Sequence, residues 1–251
     1  MPHDPTRRQV AYEAARLLYA REECEYYRAK VRAARTVFGG RFSQADLPRN
    51  SDIRDQILEF ARADRREIHR DRLGTLRPIA FPTDLAANPA PPARSDADRY
   101  LSFTLLLEPL EQVKQDRDEH PEGDALDHSL QVFELVRDKR PYDEELLLAA
   151  LLHDVGKAID PRDRVSAALE VLEGLVTTRT LWFIEHHSDA LAWSDSGLGQ
   201  RVRKRLRASD DFDELMLLAQ CDRAGRQVGF AAPDVQKALH YVRDLGTMCD
   251  G

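Results

Sequence analysis

An all-α fold is expected from three features of the chain. Apolar residues recur at helical spacing through most of the 251 positions. No stretch alternates apolar and polar residues for long enough to make a useful strand. Apolar residues supply 42% of the chain, enough for a real core despite a charged content of 32%. There is no internal repeat and no glycine-rich phosphate loop.

The elements follow in order. Thr6 to Phe38 reads as one long helix, with Val10, Ala14, Leu17, Leu18 and Ala20 as its apolar stripe and Gly39-Gly40 as its stop. Tyr19, Tyr26 and Tyr27 lie near Arg21 and Arg28, and at helical spacing such aromatics are packing positions before they are stacking surfaces for bases. A second helix runs from about Asp52 to Leu73, buries Ile53, Ile57, Phe60 and Ala61, and closes at Gly74. Between Arg77 and Ser95 stand Pro78, Pro82, Pro89, Pro91 and Pro92, which mark a semi-stiff linker or wrapping loop. The expected organisation is therefore an N-terminal helical region at 1–75, a Pro/Ala-rich linker at 76–98 and a helical domain at 99–251. That domain opens with a helix from Tyr100 to Gln115, kinked at Pro109.

Four residues in the helical domain carry chemistry: His128 in LDHSLQVF, His153 and Asp154 in LLHDVGKA, and Asp222 in AQCDRAG. His128 lies near the start of an amphipathic helix with Leu130, Val132, Phe133 and Val136 on its apolar face. His153 and Asp154 follow the run LLLAALL, a buried helix that Asp143 can cap, Glu144 and Glu145 favour at its positive end, and Gly156 can stop. Asp222 falls near the end of a helix built on Leu215, Leu217 and Leu218. Imidazoles and carboxylates make a mixed nitrogen/oxygen donor set, suited to Mn, Fe, Co, Zn or Mg.

In this order, H…HD…D, the motif resembles the HD-domain superfamily of metal-dependent phosphohydrolases over roughly residues 124–225. The resemblance implies a divalent metal held by His128, His153, Asp154 and Asp222, and a phosphate-attracting role for Lys157 in HDVGK. It also points to His186 and His187, since many HD proteins use a histidine pair there for a second metal or for substrate. Dinuclear members usually carry another histidine before the helix after HDxGK, whereas IDPRDRVSAAL offers Arg162, Asp163 and Arg164. One metal per chain is therefore expected, with His186 or His187 reaching substrate or water. Asp163 stays open as a replacement ligand.

The expected activity is hydrolysis of a phosphate ester in a nucleotide or other small phosphorylated molecule, with Asp154, Lys157, His186 and His187 as candidate catalytic residues. Two other classes stay open: a di-iron oxygenase of the inositol oxygenase type, and a degenerate HD module used for regulation or interaction. The tripeptide of the cyclic-dinucleotide phosphodiesterase branch is absent after His187, and the acidic residues of the alarmone hydrolases are absent after Asp154.

Charge is uneven: residues 1–77 hold 17 Lys+Arg against 12 Asp+Glu, and the remainder 20 against 32, within an overall −7. Arginines interleaved with glutamates favour a solvated, salt-bridged face over a nucleic-acid surface. The run RVRKRLR, Arg201 to Arg207, is read the same way, with Val202 and Leu206 as a buried edge. Leu146 to Leu152 is the longest uncharged apolar run and falls far short of the roughly 20 residues of a membrane helix. Cys24, Cys221 and Cys249 lack metal-type spacing and fit reduced thiols in a cytoplasm. Cys221, next to Asp222, is expected in the core.

Overall fold

Helices account for the regular structure throughout the computed structural model, which describes residues 5–71, 95–118, 120–194 and 198–249. Among these residues the one β-type pairing is an isolated antiparallel bridge between Lys114 and Asp124. The all-α expectation holds. The chain divides into two compact units, residues 1–102 and 103–251. The expected linker at 76–98 lies largely outside the described residues. No described helix is long and apolar enough to cross a membrane.

In the first unit the expected single helix from Thr6 to Phe38 is two: α1 (Pro5–Tyr19) and α2 (Tyr26–Phe38). The chain reverses through Ala20–Glu25, with Arg21 in the left-handed region at φ 57°. A continuous helix would leave its apolar stripe in water. Folding back buries Val10, Ala14 and Leu17 of α1 and Ala29, Ala33 and Ala34 of α2 completely or nearly so. Alanine supplies most of these positions and lets the two backbones approach closely. Arg16 and Arg32 both pair with Glu22, which fastens the turn. The apolar period continues through the reversal, so periodicity alone does not reveal it. Asn50–Asp71 forms α3, which packs on α1, with Phe60 edge-on to Tyr12 at 5.2 Å.

Asp96–Leu107 forms α4 and contains the division between the units. Pro109 does more than kink the expected Tyr100–Gln115 helix. The α-helix ends at Leu107 and a 3₁₀ segment, Glu108–Gln112, follows with the proline in its first turn. Proline has no N–H to continue an α ladder.

The second unit is built from α5 (Ala125–Lys139), α6 (Glu144–Leu152), α7 (Gly156–Ile159), α8 (Arg164–Leu172), α9 (Thr178–Leu191), α10 (Gln200–Arg207), α11 (Phe212–Ala224) and α12 (Val235–Cys249). The helix α6 is apolar all round and buried all round, from Leu146 to Leu152. Around it pack α5, α9 and, with fewer contacts, α11 and α12. Asp143 caps it as expected, accepting from the Leu146 N–H. The same carboxylate takes two bonds from the Arg179 guanidinium, at 2.7 and 3.0 Å. Arg179 also reaches Asp211 at 2.6 Å, just before α11, and lies over the Phe183 ring. One arginine on α9 thus ties together the starts of α6 and α11.

Gly156 does not stop α6, which ends at Leu152 before a turn through His153, Asp154 and Val155. It opens α7, and a Cβ there would stand 1.9 Å from the Arg164 carbonyl oxygen. The glycine is there because the backbones of α7 and α8 touch. Asp163 is the N-cap of α8 and accepts from Ser166 N–H. On α10 the basic residues are exposed or partly so, and Leu206 is buried. Cys221 is 1% exposed, in the core as expected, and burial raises its thiol pKa to about 11.

Gly156→Ala is expected to cost about 1–3 kcal/mol through overpacking against fixed backbone, read as a lower urea midpoint by circular dichroism. Asp143→Asn keeps a capping oxygen but loses the charge that Arg179 grips, at a cost of about 1 kcal/mol at neutral pH. Burial works to raise the Asp143 pKa, but the bonds from Arg179 and Leu146 outweigh it and hold it below the usual value. The charged form's contribution is therefore full above the unfolded carboxylate pKa of about 3.9 and fades as pH falls through the lower folded value. The stability gap between wild type and variant should begin to narrow below about pH 4 and close as pH falls through the folded value.

Candidate metal centre

Four helices deliver the candidate residues. Asp124 caps α5, accepting from the N–H groups of Leu126 and Asp127, and this places His128 one turn in, with its side chain 1% exposed. His153 and Asp154 lie in the turn after α6, on backbone held by the bonds His153 N–H to Ala149 and Lys157 N–H to Asp154. His187 projects from α9 and Asp222 from the last turn of α11. The approach of α11 to α5 is close at Gly225, where a Cβ would meet Val132 at 3.0 Å. A reciprocal pair of bonds between the Gln131 amide and the Gln227 backbone fixes the same junction.

The side chains converge on one oxygen. Asp222 Oδ2 lies 3.3 Å from His128 Nε2, 3.5 Å from His153 Nε2 and 3.2 Å from His187 Nε2. Its other oxygen, Oδ1, accepts from Arg226 at 3.0 Å. Asp154 Oδ2 is 3.3 Å from His153 Nε2 and accepts from Lys157 Nζ at 2.6 Å. Lys157 Nζ also donates to Gln115 Oε1 at 2.6 Å. His128, His153 and Asp154 form one group with donor atoms within 4.8 Å of one another, and His153, His187 and Asp222 form another.

Tautomer and charge suit a cation. His153 Nδ1 faces the Ala150 carbonyl at 2.9 Å, so the proton belongs there and the Nε2 lone pair faces the centre. His153 Nε2 and His187 Nε2 are buried and have no hydrogen-bond partner. Buried imidazole nitrogens without partners are costly unless something else accepts their lone pairs. Both carboxylates are ionised. Burial works to raise Asp154, but His153 and Lys157 outweigh it and hold it well below the usual carboxylate range. For Asp222 burial is likewise overcome, by the imidazoles of His128, His187 and His153 around it. Burial is the largest influence on His187 and lowers its pKa. On His153 burial acts downward too, yet Asp154 and Asp222 leave the pKa raised. These residues fit a divalent cation.

All four expected ligands are thus brought together. Of the histidine pair only His187 joins them, since adjacent residues on a helix point about 100° apart. His186 packs edge-on to Trp182 at 5.0 Å, with Nδ1 3.7 Å from Asp189. Asp163, left open as a replacement ligand, is occupied as the α8 cap. Several partners escaped the motif: Gln115, His120, Glu122 and Arg226. Arg226 was readable as the i+4 neighbour of Asp222. The others sit in a turn before α5, where no periodicity points to them.

A family model described as HD domain matches residues 125–226. A search of curated proteins finds no match to the chain.

His187→Ala should lower the retained divalent metal after manganese loading and desalting, whereas His186→Ala should leave it at the wild-type level. Plasma mass spectrometry of the two proteins decides the matter, and equal loss would place both histidines at the centre.

Proposed function

Because residues 125–226 belong to the HD-domain superfamily, a group of metal-dependent phosphohydrolases, we propose that this chain hydrolyses a phosphate ester in a nucleotide or other small phosphorylated molecule. His128, His153, Asp154 and Asp222 would hold one divalent cation, with His187 beside them. The observation that carries the proposal is the convergence of three imidazole Nε2 atoms, two of them without hydrogen-bond partners, on one oxygen of the buried Asp222. When bound, such an ion supplies Lewis acidity, lowering the pKa of water and neutralising phosphoryl charge.

The chain's own residues have separable tasks. Asp154 is ionised and can orient the attacking water by accepting a hydrogen bond from it. Lys157 keeps it so, and its ammonium offers a positive charge to a phosphoryl oxygen arriving beside Asp154. Water adds to phosphorus, the ester P–O bond breaks, and the leaving oxygen takes up a proton. Arg226 holds Asp222 Oδ1 and turns Oδ2 toward the three imidazoles.

The test is metal content together with turnover. Wild type should retain about one divalent ion per chain and hydrolyse at least one member of a phosphate-ester panel. Asp154→Ala should abolish metal-dependent turnover with an unchanged helical signal, and Lys157→Ala should reduce it by about 10²-fold or more. Full activity in Asp154→Ala would overturn the assignment. Two irons per chain would replace it with oxygen chemistry, and no retained metal with a regulatory role.

A further inference from the structure

The turn that precedes α5 lies outside the family-matched segment, yet it contributes a buried carboxylate to the centre. Gln115 N–H bonds the Gly123 carbonyl and Ala125 N–H bonds that of Val113, closing a narrow loop whose return is made by Gly123 at φ 111°. The loop turns Glu122 inward until its side chain is only 1% exposed. Glu122 Oε1 lies 2.9 Å from His120 Nδ1 and 2.9 Å from His128 Nδ1. The His120 contact is an aligned hydrogen bond; His128 Nδ1 and Glu122 Oε2 are left without one. The His120 and His128 rings meet edge to face at 4.9 Å, which fixes the plane of both.

His128 therefore has one nitrogen on each side. Nε2 faces Asp222 at 3.3 Å, and Nδ1 faces Glu122. An imidazole that gives a lone pair at one nitrogen must carry its proton at the other, and an acceptor behind that proton fixes tautomer and ring orientation. For His153 the acceptor is a neutral carbonyl, that of Ala150. For His128 the group at that distance is a carboxylate, 2.9 Å from Nδ1 though not aligned as a hydrogen bond; taking the Nδ1 proton, it would make the ring a better donor at Nε2.

We infer that Glu122 is a positioning residue for the metal centre: it holds the Nδ1 proton of His128 and aims Nε2 at the cation site, with His120 holding Glu122 in place. This rests on the metal-centre reading proposed above. A buried carboxylate with an unsatisfied oxygen is costly on its own, and a mere fold role would be met as well by an apolar side chain.

The probe is Co²⁺ titrated into the metal-free full-length chain and followed by visible absorption, with cobalt content after desalting checked by plasma mass spectrometry. Glu122→Ala should weaken Co²⁺ binding by about 10–100-fold and shift the ligand-field bands. Glu122→Gln keeps an acceptor oxygen without the charge and should fall between. If Glu122→Ala loses its helical signal, the near-isosteric Glu122→Gln carries the comparison. Wild-type affinity and bands in the folded variants would overturn the role of Glu122 and leave the metal centre standing. A wild type that takes up no Co²⁺ would overturn the metal centre and this inference with it.

Discussion

The buried carboxylate of Asp222 sets the terms for everything around it in the second unit. A charge this far from water is tolerated only with partners on every side. One oxygen has Arg226 and the other has three imidazoles from three other parts of the chain. Those partners cannot be supplied by one helix. The centre therefore exists only when α5, the end of α6, α9 and α11 are all in place, and its geometry reports the packing of the whole unit.

The packing is correspondingly fixed at a few points. The apolar α6 has no solvent face, so it can be placed only in the middle, and each buried leucine is worth about 1.5–3 kcal/mol. Arg179 binds the starts of α6 and α11 from α9. Gly156 and Gly225 occur where backbone or a β-branched side chain comes too near for a Cβ. None of these residues faces the centre. Each limits how far a segment bearing a candidate ligand can drift, which matters because misplacement of a reacting group by about 1 Å can cost 10²-fold in rate.

Much of this was legible in the sequence, for identifiable reasons. His153 and Asp154 follow an apolar run that can only be a buried helix, and the cap at Asp143 is a local signal that tertiary structure did not override. His128 and Asp222 were legible through the ordered motif. The N-terminal helix was misjudged because its apolar period is continuous across the Arg21 turn; burial of two alanine faces against each other decides the reversal, and no single-helix period encodes it. Gly156 carries the sign of a helix stop, but its cause is the Arg164 carbonyl, a contact between segments. Glu122 and Gln115 were invisible for a related reason. They are placed by a closed loop with a left-handed glycine, and short polar loops of this kind carry no pattern that separates a buried carboxylate from a solvated one.

The charges at the centre bear on the proposed phosphate-ester substrate. Asp154 and Asp222 each have a permanent cation at one oxygen, Lys157 and Arg226, and those two pairs are close to neutral. Glu122 adds one buried negative charge behind His128. A divalent cation in the midst of this set would leave the region net positive, among buried groups where fields are weakly screened. A neutral substrate gains little from such a field, whereas a phosphate ester gains at binding and again as charge grows on its oxygens in the transition state. Under the proposed function the same balance makes Lys157 more than an attractor: removing it would unbalance Asp154, so the water contact and the phosphate contact are coupled through one ammonium group.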